Sequence, residues 1–249
     1  MGEGLKVLGN FDDMKLTEKE QKMCDDAVIF VKENKKMLIA KFADSEKYST
    51  RKEPISIFMA GIPGAGKTEV AKRLIEETKI NPVHIDADEI RELFRKIGYN
   101  GKNSYIFQKA CSHGVDKLFD YVQSKKLHSI IDGTFASDNS MKNIERSLGR
   151  DRKVFIYYIY QNPIIAWKIV KGRENLEGRS IPKEAFIDSY FKSMENVNKA
   201  KNNFTENIKL NILFKNAESN LEKQVLNIYN IDYYVEKIYN ESELRKIIL

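Results

Sequence analysis

The sequence predicts a three-layer α/β fold: a mostly parallel sheet with helices on both faces, preceded by a helical extension and followed by a helical tail. Two observations predict it. Between Pro54 and Lys215, strand-length apolar runs alternate with amphipathic helical stretches, and near-continuous apolar strands belong to parallel sheets buried on both faces. The first of these strands also runs through a glycine-rich turn straight into a helix, the βα junction of a doubly wound sheet.

The elements follow in order. Thr17 and Glu20 form a capping box, and Met23, Ala27, Phe30, Val31, Leu38 and Phe42 recur near helical spacing, which predicts one helix over 16–42. The polar stretch 43–53 has no periodicity and reads as a linker. Strands are predicted at 55–60, 83–85, 129–131 and 154–160, and helices at 68–78, 87–96, 104–123 and 141–148. The segment 216–249, rich in Asn, Tyr, Leu and Ile, reads as short helices packed back on the core.

Composition narrows the function classes. A chain of 249 residues with 42% apolar and 31% charged residues is globular and long enough to bury a substantial core. Its longest apolar run is far too short to span a membrane, and residues 1–10 lack the pattern of a secretory leader. Two cysteines, Cys24 and Cys111, make neither a disulfide framework nor a four-thiolate zinc site, and reduced thiols suit a cytoplasmic protein. The formal charge of +6 is compatible with anionic ligands. No Lys/Arg cluster interleaved with aromatics is present, which disfavours nucleic acid as a partner.

The strongest motif is Gly61-Ile62-Pro63-Gly64-Ala65-Gly66-Lys67-Thr68, a full match to G-x-x-x-x-G-K-[ST] between strand and helix. Glycines let the backbone N–H groups point inward onto phosphate oxygens, and the helix N-terminus adds partial positive charge. Lys67 is placed to reach the β- and γ-phosphates of a nucleoside triphosphate, and Thr68 to take one position on Mg²⁺. The expected fold is therefore that of a P-loop NTPase, and ATP and Mg²⁺ are the expected ligands.

Acidic residues end the neighbouring strands, where ligands of open α/β sheets bind. Asp86, in His84-Ile-Asp86-Ala-Asp88-Glu89, is placed to accept the proton of an attacking hydroxyl. It also qualifies as a helix N-cap with Glu89 completing a capping box, and the two roles are compatible. Asp88 reads as a charge complementing the helix dipole, and Arg91 as a solvated helix residue within reach of an acceptor's phosphate. Asp132, before Gly133 and Thr134, fits the acid behind the Mg²⁺ of a P-loop fold, or a simple Asp-Gly turn. Thr134 would lie beside it and bond a substrate.

Three further features stay open on the residues alone. Asp116 sits beside the apolar stripe of its helix, where an aspartate is ordinarily solvated. Arg173 and Arg179 read as a mobile basic segment suited to a phosphoryl-transfer lid, or as arginines of a surface loop. His84, His113 and His128 lack metal-ligand spacing and read as structural, and Trp167, Tyr157, Tyr158 and Tyr160 read as packing.

Taken together, Gly61–Thr68, the Ile85-Asp86-Ala-Asp88 strand end, the helix bearing Asp116, Ile131-Asp132-Gly-Thr134 and the Arg173 and Arg179 segment resemble the zeta toxins, the UDP-N-acetylglucosamine kinases of toxin–antitoxin systems. The resemblance covers about 55–216. It implies that Asp86 is the base for the 3′-hydroxyl of the amino sugar, that Asp116 and Thr134 hold the substrate together with Asp132, and that Arg173 and Arg179 act on the phosphates. The family commonly has Glu at the positions of Asp116 and Asp132, and Arg at that of Ala136.

The expected organisation is an N-terminal helical extension and linker over 1–53 and a P-loop kinase domain over 54–249, with a zeta-toxin-like core 54–216 and a tail 217–249. The resemblance also implies an antitoxin partner, on a separate chain or supplied in cis by residues 16–42. The alternatives are a P-loop kinase for another small molecule, such as a nucleoside, dinucleotide or antibiotic, and an ATP-dependent switch or binding module.

Overall fold

The apolar run that opens the phosphate-binding motif is buried from Ile57 to Ala60, because its strand lies in the middle of a sheet covered on both faces. The computed structural model describes residues 16–178, 180–218 and 220–248. Six strands, β1 (Ile55–Ala60), β2 (Val83–Asp86), β3 (Ser129–Asp132), β4 (Lys153–Tyr160), β5 (Ile208–Lys215) and β6 (Leu221–Val225), form one sheet in the order β2-β3-β1-β4-β5-β6. The first five are parallel, and β6 returns antiparallel to β5. With its flanking helices this is the three-layer P-loop NTPase fold.

Helix α3 (Lys67–Thr78) follows β1 and packs on β1 and β3. The short α4 (Ala87–Arg91) follows β2, and α5 (Gln108–Ser124) packs on α4 and β2. Helix α6 (Asn139–Leu148) lies on β4, α7 (Pro163–Glu177) follows β4, and α8 (Lys183–Phe204) lies on β5 and α6. Among the described residues, no helix is long and apolar enough to cross a membrane. Cys24 and Cys111 are both free thiols, and buried.

The single helix expected over 16–42 is two, α1 (Glu18–Glu33) and α2 (Lys35–Phe42). Asn34 makes the break: its side-chain amide donates to the Phe30 carbonyl at 2.9 Å, the local side-chain competition that disfavours Asn inside helices. The predicted N-terminal capping box is present, with Thr17 and Glu20 bonded reciprocally. Both helices are built into the core. Cys24, Ala27, Val28 and Val31 of α1 and Leu38 and Phe42 of α2 are buried, and Phe30 meets Phe94 edge-to-face at 6.1 Å. The linker that follows is strapped down, with Arg51 N donating to Lys126 O at 3.0 Å.

Two other boundaries differ from expectation. The helix after β2 stops at Arg91 and tightens into a 3₁₀ turn over Glu92–Ile97, ended by Gly98 in the left-handed region. Residues 104–107 form turns, so α5 begins at Gln108 rather than Ser104. The tail is not wholly helical, because it begins with β6. The Asn216 side-chain oxygen accepts from Glu218 N at 3.0 Å and Asn220 N at 2.9 Å, a turn that sends the chain back along β5. A 3₁₀ turn (Ile231–Tyr233) and α9 (Glu241–Ile247) complete it, with Ile231 and Leu244 fully buried.

At the amino ends of the strands, Arg152 is buried and ties three of them together. Its Nε donates to Ser56 Oγ at 2.6 Å, and Nη2 to Ile55 O at 2.8 Å and Leu127 O at 2.6 Å. The opposite, carboxyl ends of the strands open into a cleft.

Candidate active site

The cleft begins with the loop between β1 and α3. Gly61 and Gly64 take φ +125° and +80°, and a Cβ there would lie 2.4 Å from Ile159 O and 2.3 Å from Ala166 O. Only glycine fits both the backbone angle and the approach, so the loop closes against β4 and α7 as the motif requires. Lys67 folds over this loop, with Nζ donating to Gly61 O at 3.0 Å and Ile62 O at 2.8 Å. The loop is also tied to the segment after β3, because Gly61 N donates to Thr134 O at 3.1 Å.

That segment is held rigidly. Phe135 takes φ +62°, an unfavourable angle for a bulky residue. Asn196 fixes it by donating to Phe135 O at 3.0 Å, and its ring packs edge-to-face on Phe58 at 6.1 Å. The neighbouring Thr134 hydroxyl accepts from Ala136 N at 3.3 Å, so Thr134 stands at a fixed place on the cleft wall. Backbone strain of this kind persists where surrounding structure over-determines it.

Two carboxylates end adjacent strands at one level. Asp86 on β2 and Asp132 on β3 are register partners, and both line the cleft. Asp86 caps α4 by accepting from Asp88 N at 2.8 Å, so the cap and the cleft-facing acid are one residue. Burial, reinforced by the negative charges of Asp88 and Asp132, pushes its carboxyl up to about 6. Burial alone would raise Asp132 too. There His84, Lys67 and the Thr68 hydroxyl outweigh it and hold the carboxyl below the usual range. The Thr68 hydroxyl and the Asp132 carboxylate meet here, and oxygen groups are the donor type that Mg²⁺ takes.

Several expectations change here. His84 is not a bystander: its Nε2 lies 3.4 Å from Asp132 Oδ2, and it shares the face of β2 with Asp86. Burial would depress the His84 imidazole, and Asp132, Asp86 and Glu89 outweigh it and raise it. Residues two apart on a strand point the same way, a signal in His84-Ile-Asp86 that a search for metal-ligand spacing passes over.

Arg91 is not solvated but 3% exposed, ion-paired to Asp88 and bonded to Gln108 Oε1 at 2.8 Å. Its burial comes from the packing of α4 against α5. Arg173 lies in the last turns of α7, exposed and on the cleft lining, rather than in a free loop. Arg179 lies outside the described residues. Trp167 and Tyr158 are buried as packing residues, as expected.

Asp116 lines the cleft from α5. Burial raises its carboxyl against the opposing pull of Arg146, whose Nη1 stands 3.9 Å away. The cleft is also lined by Lys72, Lys109, Lys142 and Lys192. Its volume is about 1430 Å³. Single-ligand pockets run to about 1,000 Å³, so this one has room for a donor and an acceptor together. The N-terminal end of α1 reaches it as well, with Leu16, Gln21 and Cys24 on the wall.

The zeta toxin family model matches residues 39–227, most of the chain. A chain of the PezAT toxin–antitoxin system of Streptococcus pneumoniae shares the fold with a TM-score of 0.59 at 18% identity, over 94% of each chain. The native AvrRxo1-ORF1:ORF2 complex contains a chain with a TM-score of 0.57 at 13% identity, over 96% of this chain and 75% of that one. The corresponding complex with ATP gives 0.55 at 12% identity, over 97% and 75%. At these identities the likeness is one of fold. No curated protein sequence matches the chain.

Proposed function

The chain belongs to the zeta toxin family, and we propose that it is an ATP-dependent kinase that phosphorylates a hydroxyl of a nucleotide-sugar, such as the 3′-hydroxyl of UDP-N-acetylglucosamine. One observation carries this reading. Asp86, a largely enclosed carboxylate raised to about 6, stands beside Asp132, which in turn meets Lys67 and Thr68, all in one cleft large enough for two ligands. A nucleotide switch needs no such base on the far side of its phosphates.

In this reading the backbone of 61–66 and Lys67 hold the triphosphate, for which the ATP complex of a similarly folded chain is support. Mg²⁺, held by Thr68 with Asp132 behind it, supplies neutralisation of charge on the triphosphate. Asp86 orients the acceptor hydroxyl and takes its proton. Asp116 and Thr134 position the acceptor, and Arg173 and Arg179 neutralise the transferring group.

Restraint by a separate antitoxin chain accords with the family. Helix α1 contributes to the cleft wall, and the apolar faces of both α1 and α2 are part of the core, which favours a fixed element over a detachable cover in cis. The chain is organised accordingly, as a kinase core over 54–216 with its extension and tail packed on it.

The test is incubation of the full chain with labelled ATP and a panel of UDP-sugars, nucleosides, dinucleotides and aminoglycosides, with mass identification of products. A phosphorylated UDP-sugar is the expected result. Transfer to another member of the panel would reassign the acceptor, and ATP hydrolysis indifferent to every acceptor would remove the kinase reading.

A further inference from the structure

The three side chains His84, Asp86 and Asp132 form a cluster that phosphoryl transfer does not use as such. Their ligand-type atoms, one imidazole nitrogen and two carboxylate oxygens, all lie within 4.8 Å of one another. Strand geometry explains the meeting: His84 and Asp86 are two apart on β2 and share a face, and Asp132 is the register partner of Asp86 on β3.

Two atoms of this cluster are unsatisfied. His84 Nε2 and Asp132 Oδ2 are buried and make no hydrogen bond, although they face each other at 3.4 Å. The Asp132 side chain is only 4% exposed, so bulk water does not supply the missing partner. The two attract each other as an ion pair yet make no hydrogen bond, and buried polar atoms without hydrogen-bond partners call for an explanation.

Their separation supplies one. Zinc with tetrahedral ligands at about 2.0–2.1 Å sets them about 3.3–3.4 Å apart. The 3.4 Å between Nε2 and Oδ2 is that edge. The geometry points to a transition-metal site at His84, Asp86 and Asp132, taking Zn²⁺ in preference to Mg²⁺ because one ligand is an imidazole nitrogen. It shares Asp132 with the position at Thr68 proposed for the triphosphate, and differs from it in drawing on His84 and Asp86. A carboxylate that coordinates zinc does not accept a proton from a hydroxyl, so zinc and acceptor exclude one another. The site itself goes beyond the kinase reading, and its binding test does not depend on that reading.

The experiment titrates metal-stripped full chain with Zn²⁺ in competition with a chromophoric chelator. One zinc per chain is expected, with His84→Gln weakening binding at least tenfold while His113→Gln leaves it unchanged. Asp86→Asn, which keeps a helix-capping side chain, is expected to weaken it similarly and stands in if His84→Gln does not fold. Cobalt reads the geometry: wild type loaded with Co²⁺ should show the intense visible absorption of a four-coordinate ion, lost in either variant. Zinc affinity unaffected by His84→Gln and Asp86→Asn, loss of binding in His113→Gln instead, or only the faint absorption of six-coordinate Co²⁺ would overturn the proposal.

Discussion

Asp86 and Asp132 are direct partners across the β2–β3 pair, so two largely buried carboxylates stand side by side on the cleft wall with opposite displacements of their acidity. Divergence between paired acids separates their tasks. In the proposed reaction Asp132, held ionised by His84, Lys67 and Thr68, serves the triphosphate side. Asp86, held up to about 6, can take up and release a proton near neutrality.

Asp86→Asn should therefore leave ATP binding intact and lower kcat by about 10²–10⁴, the range for loss of a general base. Isothermal titration with a non-hydrolysable ATP analogue and steady-state transfer assays read the two effects separately. A variant with near-wild-type kcat would remove Asp86 from the chemistry.

The same substitution should stabilise the protein. The folded-state carboxyl of Asp86 is raised from 3.8 to about 6, so its proton-linked stability is present below about pH 4 and lost as pH rises to about 6. Above that, the buried charge costs about 2–3 kcal/mol, which asparagine avoids while still capping α4. Urea denaturation at pH 7.5 should show Asp86→Asn the more stable by about that amount, with the difference vanishing near pH 4. Equal stability at pH 7.5 would contradict the burial of this charge.

Arg152 offers the opposite profile. Its described hydrogen-bond partners are all uncharged oxygens at the amino ends of the strands, far from the cleft. Arg152→Met removes donors from the carbonyls of Ile55 and Leu127 and one of two from Ser56 Oγ, which keeps Ser147 Oγ at 3.1 Å, and should cost about 2–4 kcal/mol with the KM for ATP unchanged. Chemical denaturation alongside kinetics checks both halves.

A chain beginning near Lys52 tests the standing of α1 and α2. Removing them uncovers the surface on which Cys24, Ala27, Val28, Val31, Leu38 and Phe42 pack, so the shortened chain should lose its cooperative melt. Circular dichroism on heating is sufficient. A well-folded and more active product would restore the idea of a cover in cis.

What was legible in the sequence was local. The phosphate-binding loop is contiguous, and its glycines announce their own backbone angles. Asp86 and Asp132 each close a short apolar run, so alternation alone put them at strand ends. What escaped depends on neighbours distant in the chain. Arg91 carries no local mark of burial, because α5 supplies it. His84 gains its meaning only from Asp132 on the next strand. Strand β6 hid because Glu222, Lys223 and Gln224 are exposed, which leaves no inward-facing pattern to read. The break at Asn34 is a single side chain overriding a continuous apolar stripe.

The order of the strands separates the two halves of the cleft mechanically. β1, which presents the glycine loop, is flanked on both sides, whereas β2, which presents Asp86, has a neighbour on one side only. In the proposed reaction, recognition of the acceptor thus rests on the margin of the sheet, and handling of the triphosphate rests on an interior strand. A change of acceptor in that reading need alter only the sheet's edge, leaving the phosphate-binding loop in place.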